Sequence, residues 1–106
     1  MNASFRRFEM LLPRRYNDGQ EVPDKIISDT LVELQEQFGA VSCESQYIRG
    51  TWAHEDHVYR DDLIRVFVDT PDLPQSKEYF KAFKERMKIR FKQIDIWVTT
   101  YQIDVM

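Results

Sequence analysis

The chain has 106 residues, of which 42% are hydrophobic, with 3 glycines and 4 prolines, a composition typical of a folded globular domain rather than a disordered one. The length leaves no room for a second core, so we expect residues 1–106 to form a single domain. A net charge of −3 argues against non-specific binding of the whole surface to nucleic acid or to an anionic membrane.

The sequence also predicts a cytoplasmic protein without a membrane partner. No apolar run approaches the roughly 18 residues that a membrane helix requires. The first residues, MNASFRRFEMLLP, contain no apolar segment followed by a small-residue cleavage site, as a secretory signal would. The single cysteine, Cys43, cannot form an intrachain disulfide, which fits a reducing compartment.

The first half of the chain predicts a strand, a helix and a second strand. Residues 7–13 alternate in polarity as a strand does, and a turn-rich polar loop follows over residues 14–21. Residues 23–38 carry apolar side chains at helical spacing and are followed by Gly39, which suits a left-handed helix cap. Residues 41–48 alternate again and predict the second strand.

The second half predicts a hairpin tip, a strand, a helix and a last strand. Residues 51–62 are mostly polar and predict the tip of a hairpin, and the β-branched and aromatic run 63–68 predicts a third strand. Ser76 suits the N-cap of a helix whose apolar side chains recur at helical spacing as far as Phe91. Residues 94–105 alternate and predict a long final strand.

This order of elements predicts an α+β fold, a ferredoxin-like βαββαβ sandwich with a four-stranded antiparallel sheet and two helices on one face. The side chains that we expect to face the helices are Phe8, Met10, Leu12, Ile64, Val66, Val68, Ile96 and Val98. The opposite side of the sheet, called the free face below, then carries Leu11, Leu63, Phe67, Trp97, Thr99, Tyr101 and Ile103, interrupted by Arg7, Glu9 and Arg65.

The free face has too many apolar side chains to lie bare in solvent, because large apolar patches usually mark interaction sites. We therefore predict a homodimer, formed through the free face or through the C-terminal strand. The alternative is that loops or the long hairpin fold over this face.

Two histidines are the candidate catalytic residues. The segment His54-Glu55-Asp56-His57 combines imidazoles with carboxylates, the side chains that bind metals or transfer protons. The histidines are three residues apart and lie in the predicted hairpin tip, so their spacing does not match the HExxH pattern of a helix. A solvated turn is the alternative, and we predict neither a metal nor another cofactor.

Three arginines and three aromatic residues are the candidate ligand-binding residues. Paired guanidinium groups can hold a carboxylate or a phosphate through two parallel hydrogen bonds, and large aromatic side chains often line ligand pockets. The alternative is that the arginines only border loops and the aromatic residues only pack. The six residues are Arg14, Arg15, Arg49, Trp52, Tyr59 and Trp97.

The second helix is basic, since seven Lys and Arg residues outweigh two Glu residues between Gln75 and Lys92. A basic helix can bind nucleic acid, but the first helix is acidic, and we expect the two helices to be neighbours with complementary charge. We also expect Cys43 to be a buried, unreactive thiol.

Several segments resemble those of a group of small bacterial proteins of uncharacterised function that are expected to fold as ferredoxin-like domains. The segments are FEMLLPRRYNDG, QFGAVSCE, RGTW and QIDIWVTTYQIDV. More distantly, the topology and the apolar free face resemble the dimeric α+β-barrel proteins, which include small monooxygenases and isomerases. Neither resemblance assigns an activity to a residue of this chain.

The leading hypothesis is a small cytoplasmic binding or interaction domain that forms a homodimer. The second is an α+β-barrel-type enzyme for a small apolar or aromatic substrate, in which His54 or His57 transfers a proton at a cavity of a few hundred Å³. The third is nucleic-acid binding through the second helix. No Ser-His-Asp spacing, P-loop or GxGxxG motif is present. The sequence therefore does not decide whether the protein is an enzyme or a binding domain.

Overall fold

The computed structural model describes residues 4–44 and 46–106. Two parts of the chain lie outside the described residues. They are Met1 to Ala3, at the start where we expect no secretory signal, and Ser45 of the predicted second strand. The described elements are β1 (Phe5–Pro13), α1 (Asp24–Phe38), β2 (Ser42–Cys43), β3 (Ile48–His54), β4 (His57–Pro71), α2 (Pro74–Arg90) and β5 (Trp97–Ile103).

All strands belong to one antiparallel sheet, in which β1 lies between β4 and β5. The other side of β4 pairs with β2 and β3, which together take the place of a single second strand. This connectivity is the predicted βαββαβ order, with α1 and α2 as its helices. The fold is therefore α+β and ferredoxin-like, as predicted.

The core lies between the helices and one face of the sheet, as the alternation of the strands predicts. Seven of the eight expected helix-facing side chains are at most 5% exposed, and Val98 packs against them partly buried. They pack on apolar side chains of the two helices and of the segment that follows α2. Those partners are Ile27, Leu34, Phe80, Phe83, Met87 and Phe91.

The ends of the helices agree with the sequence in one case and differ in the other. Gly39 caps α1 with φ of 88°, and its N–H donates to the carbonyl of Gln35 at 2.8 Å, as the left-handed cap predicted. The prediction that Ser76 caps the second helix is wrong, because α2 begins at Pro74 and Ser76 is buried in its first turn. Proline has no N–H to leave unpaired at this position, which makes it a better first residue.

The predicted hairpin tip over residues 51–62 is wrong in extent. β3 and β4 stay paired from Ile48 opposite Leu63 to His54 opposite His57, and only Glu55 and Asp56 form the turn. Both turn residues have positive φ, 49° and 64°, as the two central residues of a type I′ turn require. We call this extension of the sheet, residues 48–63, the arm. Most of its side chains are polar because both of its faces are largely exposed.

The strand boundaries differ from the sequence in two further places. The predicted second strand, residues 41–48, is divided into β2 and the start of β3, with a bend at Gln46. The last strand spans Trp97–Ile103 rather than residues 94–105, because a turn at residues 91–92 and a bend at residue 94 follow α2.

The free face is partly covered by its own charged residues. The guanidinium groups of Arg7 and Arg65 lie over the ring of Phe67, with Cζ at 4.4 Å and 4.7 Å from the ring centroid. Arg7 also pairs with Asp69 at 2.7 Å, and Arg65 pairs with Glu9. The arm extends the sheet instead of folding over this face, so the alternative that the long hairpin covers it is wrong.

Two aromatic side chains of the free face remain open. Trp97 is 65% exposed and Tyr101 is 44% exposed. Within the described residues, neither helix has the length and apolar composition needed to cross a membrane.

Candidate cationic cleft

A cleft opens where β4 continues beyond the end of β1. β1 pairs with β4 only as far as Pro13 opposite Leu63, so among the described residues the β4 edge over residues 57–62 has a strand neighbour, β3, on one side only. The loop of residues 14–22 lies beside the open side. The cleft between them has a volume of about 390 Å³. Its lining residues are Arg15, Tyr16, Asn17, Gly19, Arg49 and residues 57–62.

The loop that forms one wall of the cleft is held by its own hydrogen bonds. The N–H of Val22 donates to the carbonyl of Arg14, and the N–H of Tyr16 donates to the carbonyl of Gln20, both at 2.8 Å. Gly19 takes φ of 90°, which a glycine adopts without strain. Val22 is 2% exposed and anchors the end of the loop in the core. The loop therefore presents its outward side chains from a fixed frame.

Three arginines line the cleft, Arg15 on the loop and Arg49 and Arg60 on the arm. The Arg49 side chain is 85% exposed, and its Nε lies 3.9 Å from Oδ1 of Asp62. The Arg15 side chain is 54% exposed and lies 3.6 Å from Glu21. Strong charge-assisted hydrogen bonds are about 2.7–2.9 Å long. Arg15 also donates from Nη1 to the carbonyl of Gly19 at 3.2 Å, and both guanidinium groups keep further donors for a ligand.

An aromatic stack lies on the face of the arm opposite to Arg49 and Arg60. The rings of Trp52 and Tyr59 face each other across the two strands with centroids 4.4 Å apart, and the ring of His57 lies 4.3 Å from that of Tyr59. The indole Nε1 of Trp52 donates to Oδ2 of Asp61 at 2.8 Å. Cross-strand pairs of this kind stabilise a hairpin and orient the side chains that take part in it.

Four of the predicted site residues line the cleft: Arg15, Arg49, His57 and Tyr59, with Arg49 on one face of the arm and His57 and Tyr59 on the other. A fifth, Trp52, lies behind them and orients Tyr59 and Asp61. Arg15 of the loop and Arg49 of β3 are far apart in the sequence, and both border the cleft from opposite sides of β4.

Three other predicted residues lie elsewhere. Arg14 donates to Asp24 at 3.4 Å and its guanidinium lies over the ring of Tyr47. His54 is at the end of the arm, where its Nε2 lies 3.8 Å from Glu55, and it does not line the cleft. Trp97 is on β5, opposite Leu11 of β1 on the free face.

Sequence reasoning missed Tyr16 and Arg60 as cleft residues. Arg60 shares a face of the arm with Arg49 and Asp62, because residues 60 and 62 of β4 are paired with residues 51 and 49 of β3. The alternation of side chains within residues 48–62 could have indicated these two strands, but residues 51–62 were predicted to be the tip of a hairpin. Among the residues described, no three His, Cys, Asp or Glu side chains lie close enough together to hold a metal ion.

The prediction of a buried Cys43 is wrong. Cys43 is exposed on β2, a strand of two residues at the sheet margin. Partial desolvation, with the negative charge of Glu44 as a second cause, raises the pKa of the thiol above its ordinary value. The thiol is therefore not activated as a nucleophile at neutral pH.

The charges of the two helices meet at one carboxylate. Glu33 of α1 accepts hydrogen bonds from Arg86 at 2.7 Å and from Arg90 at 2.8 Å. Burial acts to raise the pKa of Glu33, but the hydrogen bonds from these two arginines hold it below its ordinary value. The predicted pairing of an acidic and a basic helix is thus made by Arg86 and Arg90. Three lysines of α2 line a groove beside β5 instead.

Fold and site together define a small ferredoxin-like α+β protein with a cationic cleft at the end of its sheet. No family model and no curated protein matches the sequence. Solved structures do match. The phage SAM lyase in complex with S-methyl-5′-thioadenosine has a TM-score of 0.66 at 12% identity, over 99% of this chain and 92% of that chain.

Two divalent cation tolerance proteins are also similar in structure. CutA1 from Thermus thermophilus has a TM-score of 0.63 at 13% identity, over 96% of this chain and 86% of that chain. CutA1 from Ehrlichia chaffeensis has a TM-score of 0.62 at 8% identity, over 100% of this chain and 87% of that chain. At these identities the likeness shows the fold alone, and it agrees with the fold that the sequence resemblances implied.

Proposed function

We propose that this protein is a small, cytoplasmic, single-domain binding protein whose ligand is a small molecule with a phosphate or carboxylate group. The observation that carries the proposal is that Arg15, Arg49 and Arg60 all line one cleft, with Arg49 and Arg60 on the same face of the arm. Guanidinium groups match the geometry of carboxylate and phosphate oxygens, and a cleft of 390 Å³ is within the usual range for small-molecule sites.

The carboxylates of the cleft favour a ligand with more than one kind of polar group. Asp61 and Asp62 also line the cleft, and Trp52 holds Asp61 in place. Asp62 shares a face of the arm with Arg49 and Arg60, so it offers acceptors to hydroxyl or amino groups of a ligand whose anionic end the arginines bind. The phage SAM lyase structure, with S-methyl-5′-thioadenosine bound, supports the view that this fold can accommodate a small polar ligand with an aromatic ring.

The test is binding of inorganic phosphate, followed by calorimetry and by amide chemical shifts. We expect the amides of residues 14–22 and 57–62 to shift as phosphate is added. The triple variant R15Q/R49Q/R60Q should bind phosphate about thirtyfold more weakly, because each lost guanidinium removes an exposed charge contact of about 0.7 kcal/mol.

A matched variant controls for the change in net charge. K25Q/K81Q/K88Q loses the same three positive charges on the two helices, away from the cleft, and should bind phosphate as the unchanged protein does. If both triple variants bound phosphate equally weakly, the loss of affinity would come from the change in net charge, which would contradict the proposal. Binding of S-methyl-5′-thioadenosine, which has no anionic group, without any binding of phosphate would contradict it as well.

We further propose that two copies associate through the free face. The exposed indole of Trp97 and the exposed ring of Tyr101 support this, because a two-fold symmetric contact would bury both side chains from each copy. Sedimentation equilibrium at micromolar concentration should give a dimer, and Trp97→Ser should shift the equilibrium to monomer. A monomer at all concentrations would refute the association.

One observation favours an enzyme as the second candidate. His57 lines the cleft, and its ring packs on that of Tyr59. The cleft has the volume of a small-molecule site, and a histidine there can transfer a proton to or from a substrate. The cleft is bordered by charged side chains, however, which fits a polar substrate better than the apolar one that the sequence suggested. Ligand turnover that His57→Gln abolishes without loss of ligand binding would favour the enzyme.

A further inference from the structure

The edge of the sheet formed by β5 is open. Among the described residues, β5 pairs with β1 and with no other strand. Alternate residues of an edge strand direct their N–H and C=O groups away from the sheet, where another extended chain can bind them. β3 and the arm lie at the opposite edge, so this feature is separate from the cationic cleft.

A groove runs along this edge on the helix side. It has a volume of about 200 Å³ and lies between α2 and the β5 residues 98–100. Its floor is apolar and is formed by Phe8, Phe80 and Val98. An extended chain that paired with β5 would place every second side chain over this groove.

The helix side of the groove carries three lysines, Lys77, Lys81 and Lys84. They lie on one face of α2 and span about 10 Å along it, since a helix rises about 1.5 Å per residue. Side chains on one face of a strand are two residues, or about 6.6 Å, apart, so two or three of them on an added strand lie over the stretch of helix that carries the lysines.

The partners that these lysines have within the chain are weak ones. Lys81 lies 3.1 Å from Glu78, but both side chains are more than 70% exposed. Lys84 lies 3.3 Å from Asp95, whose side chain is 53% exposed. Exposed ion pairs contribute little, so carboxylates of a bound chain can replace them at small cost.

We propose that β5 and this groove bind an extended acidic peptide segment of another protein as an additional strand. Its acidic side chains, at alternate positions, lie over the groove and contact the lysines. The side chains between them point to the other face of the sheet. Backbone pairing supplies affinity in this mode, and the lysines select the partner.

The probe is a fluorescein-labelled peptide of five Glu-Val repeats, with five Lys-Val repeats as the comparison peptide. We expect the acidic peptide to bind, the basic peptide not to bind, and affinity to fall as salt is added. Hydrogen exchange should slow at amides of residues 97–103 when the acidic peptide is present. K77Q/K81Q/K84Q should bind it about tenfold more weakly.

The control variant K25Q/K88Q/K92Q loses three lysines that do not line the groove, and it should bind the peptide as the unchanged protein does. Equal binding by both triple variants would overturn the proposal, and so would slowed exchange at β3 without any change at β5. Protection of the β5 amides in the peptide-free protein, lost on dilution, would show that a second copy occupies the edge and would also overturn it.

Discussion

Phe80→Ala is expected to lower the free energy of unfolding by about 3–5 kcal/mol, a large part of the stability of an ordinary small domain. The ring of Phe80 is 3% exposed. It stacks between Phe8 of β1, at 4.2 Å between centroids, and Phe38 of α1, at 5.1 Å. Its removal therefore leaves a cavity where the sheet and both helices meet, and the surrounding rings cannot close it without leaving their own partners.

Urea unfolding followed by fluorescence and circular dichroism measures this loss, with Ile89→Ala as the control. Ile89 is on the same helix but 81% exposed, so its truncation should change the free energy of unfolding by no more than about 0.5 kcal/mol. A loss below about 1 kcal/mol for Phe80→Ala would mean that this ring is not part of a close-packed core, and the packing of the helices on the sheet would then be wrong.

Arg65→Ala is expected to lower the free energy of unfolding by about 1–3 kcal/mol at neutral pH. Arg65 pairs with Glu9 and Glu44 and lies over the ring of Phe67. The Glu9 side chain is only 17% exposed, so loss of the guanidinium leaves a carboxylate that water solvates poorly. The hydroxyl of Tyr101, 2.6 Å away, remains its partner and limits the loss.

The effect of this substitution should depend on pH. The hydrogen bond from Arg65 lowers the pKa of Glu9 below its ordinary value of 4.5, and the hydrogen bond from Tyr101 adds to this against the effect of burial. A lowered pKa in the folded state gives stability that is present above the unfolded pKa and is lost as the pH falls through the folded one. The difference between Arg65→Ala and the unchanged protein should thus be full above about pH 5 and shrink in more acidic solution.

Denaturant unfolding at a series of pH values checks this, and Glu9→Gln supplies the control. A neutral amide at position 9 cannot titrate, so the pH dependence that Arg65 causes through Glu9 should be missing in that variant. An Arg65→Ala difference that stays constant from neutral to acidic pH would show that Arg65 acts by packing on Phe67 alone.

The strands of the core could be predicted from the sequence because one of their faces is buried. Alternation of apolar and polar residues in β1 and β4 fixes which side chains meet the helices, and those residues are buried as expected. The arm could not be predicted in the same way, since both of its faces are largely exposed and its alternation is one of polar types. There the backbone pairing and the Trp52–Tyr59 contact, not burial, hold the strands.

The cleft was predictable in its residue types but not in its membership. Arg15 and Arg49 were recognisable as anion-binding side chains. That both line one cleft depends on how far β4 extends beyond the end of β1, which no local pattern reveals. Arg60 was missed for the same reason that the arm was. For the free face, alternation predicted correctly which residues lie on it. It did not predict how exposed they are, because Arg7 and Arg65 cover the ring of Phe67.

The exposed Cys43 gives the molecule one natural attachment point for a probe. Because it is the single cysteine, a maleimide dye or a nitroxide spin label would modify one known position without any engineering of the chain. Its raised pKa means that mildly alkaline solution would speed the coupling. Two labels in an assembled pair would report the separation of the β2 strands, and with it the orientation of one copy relative to the other.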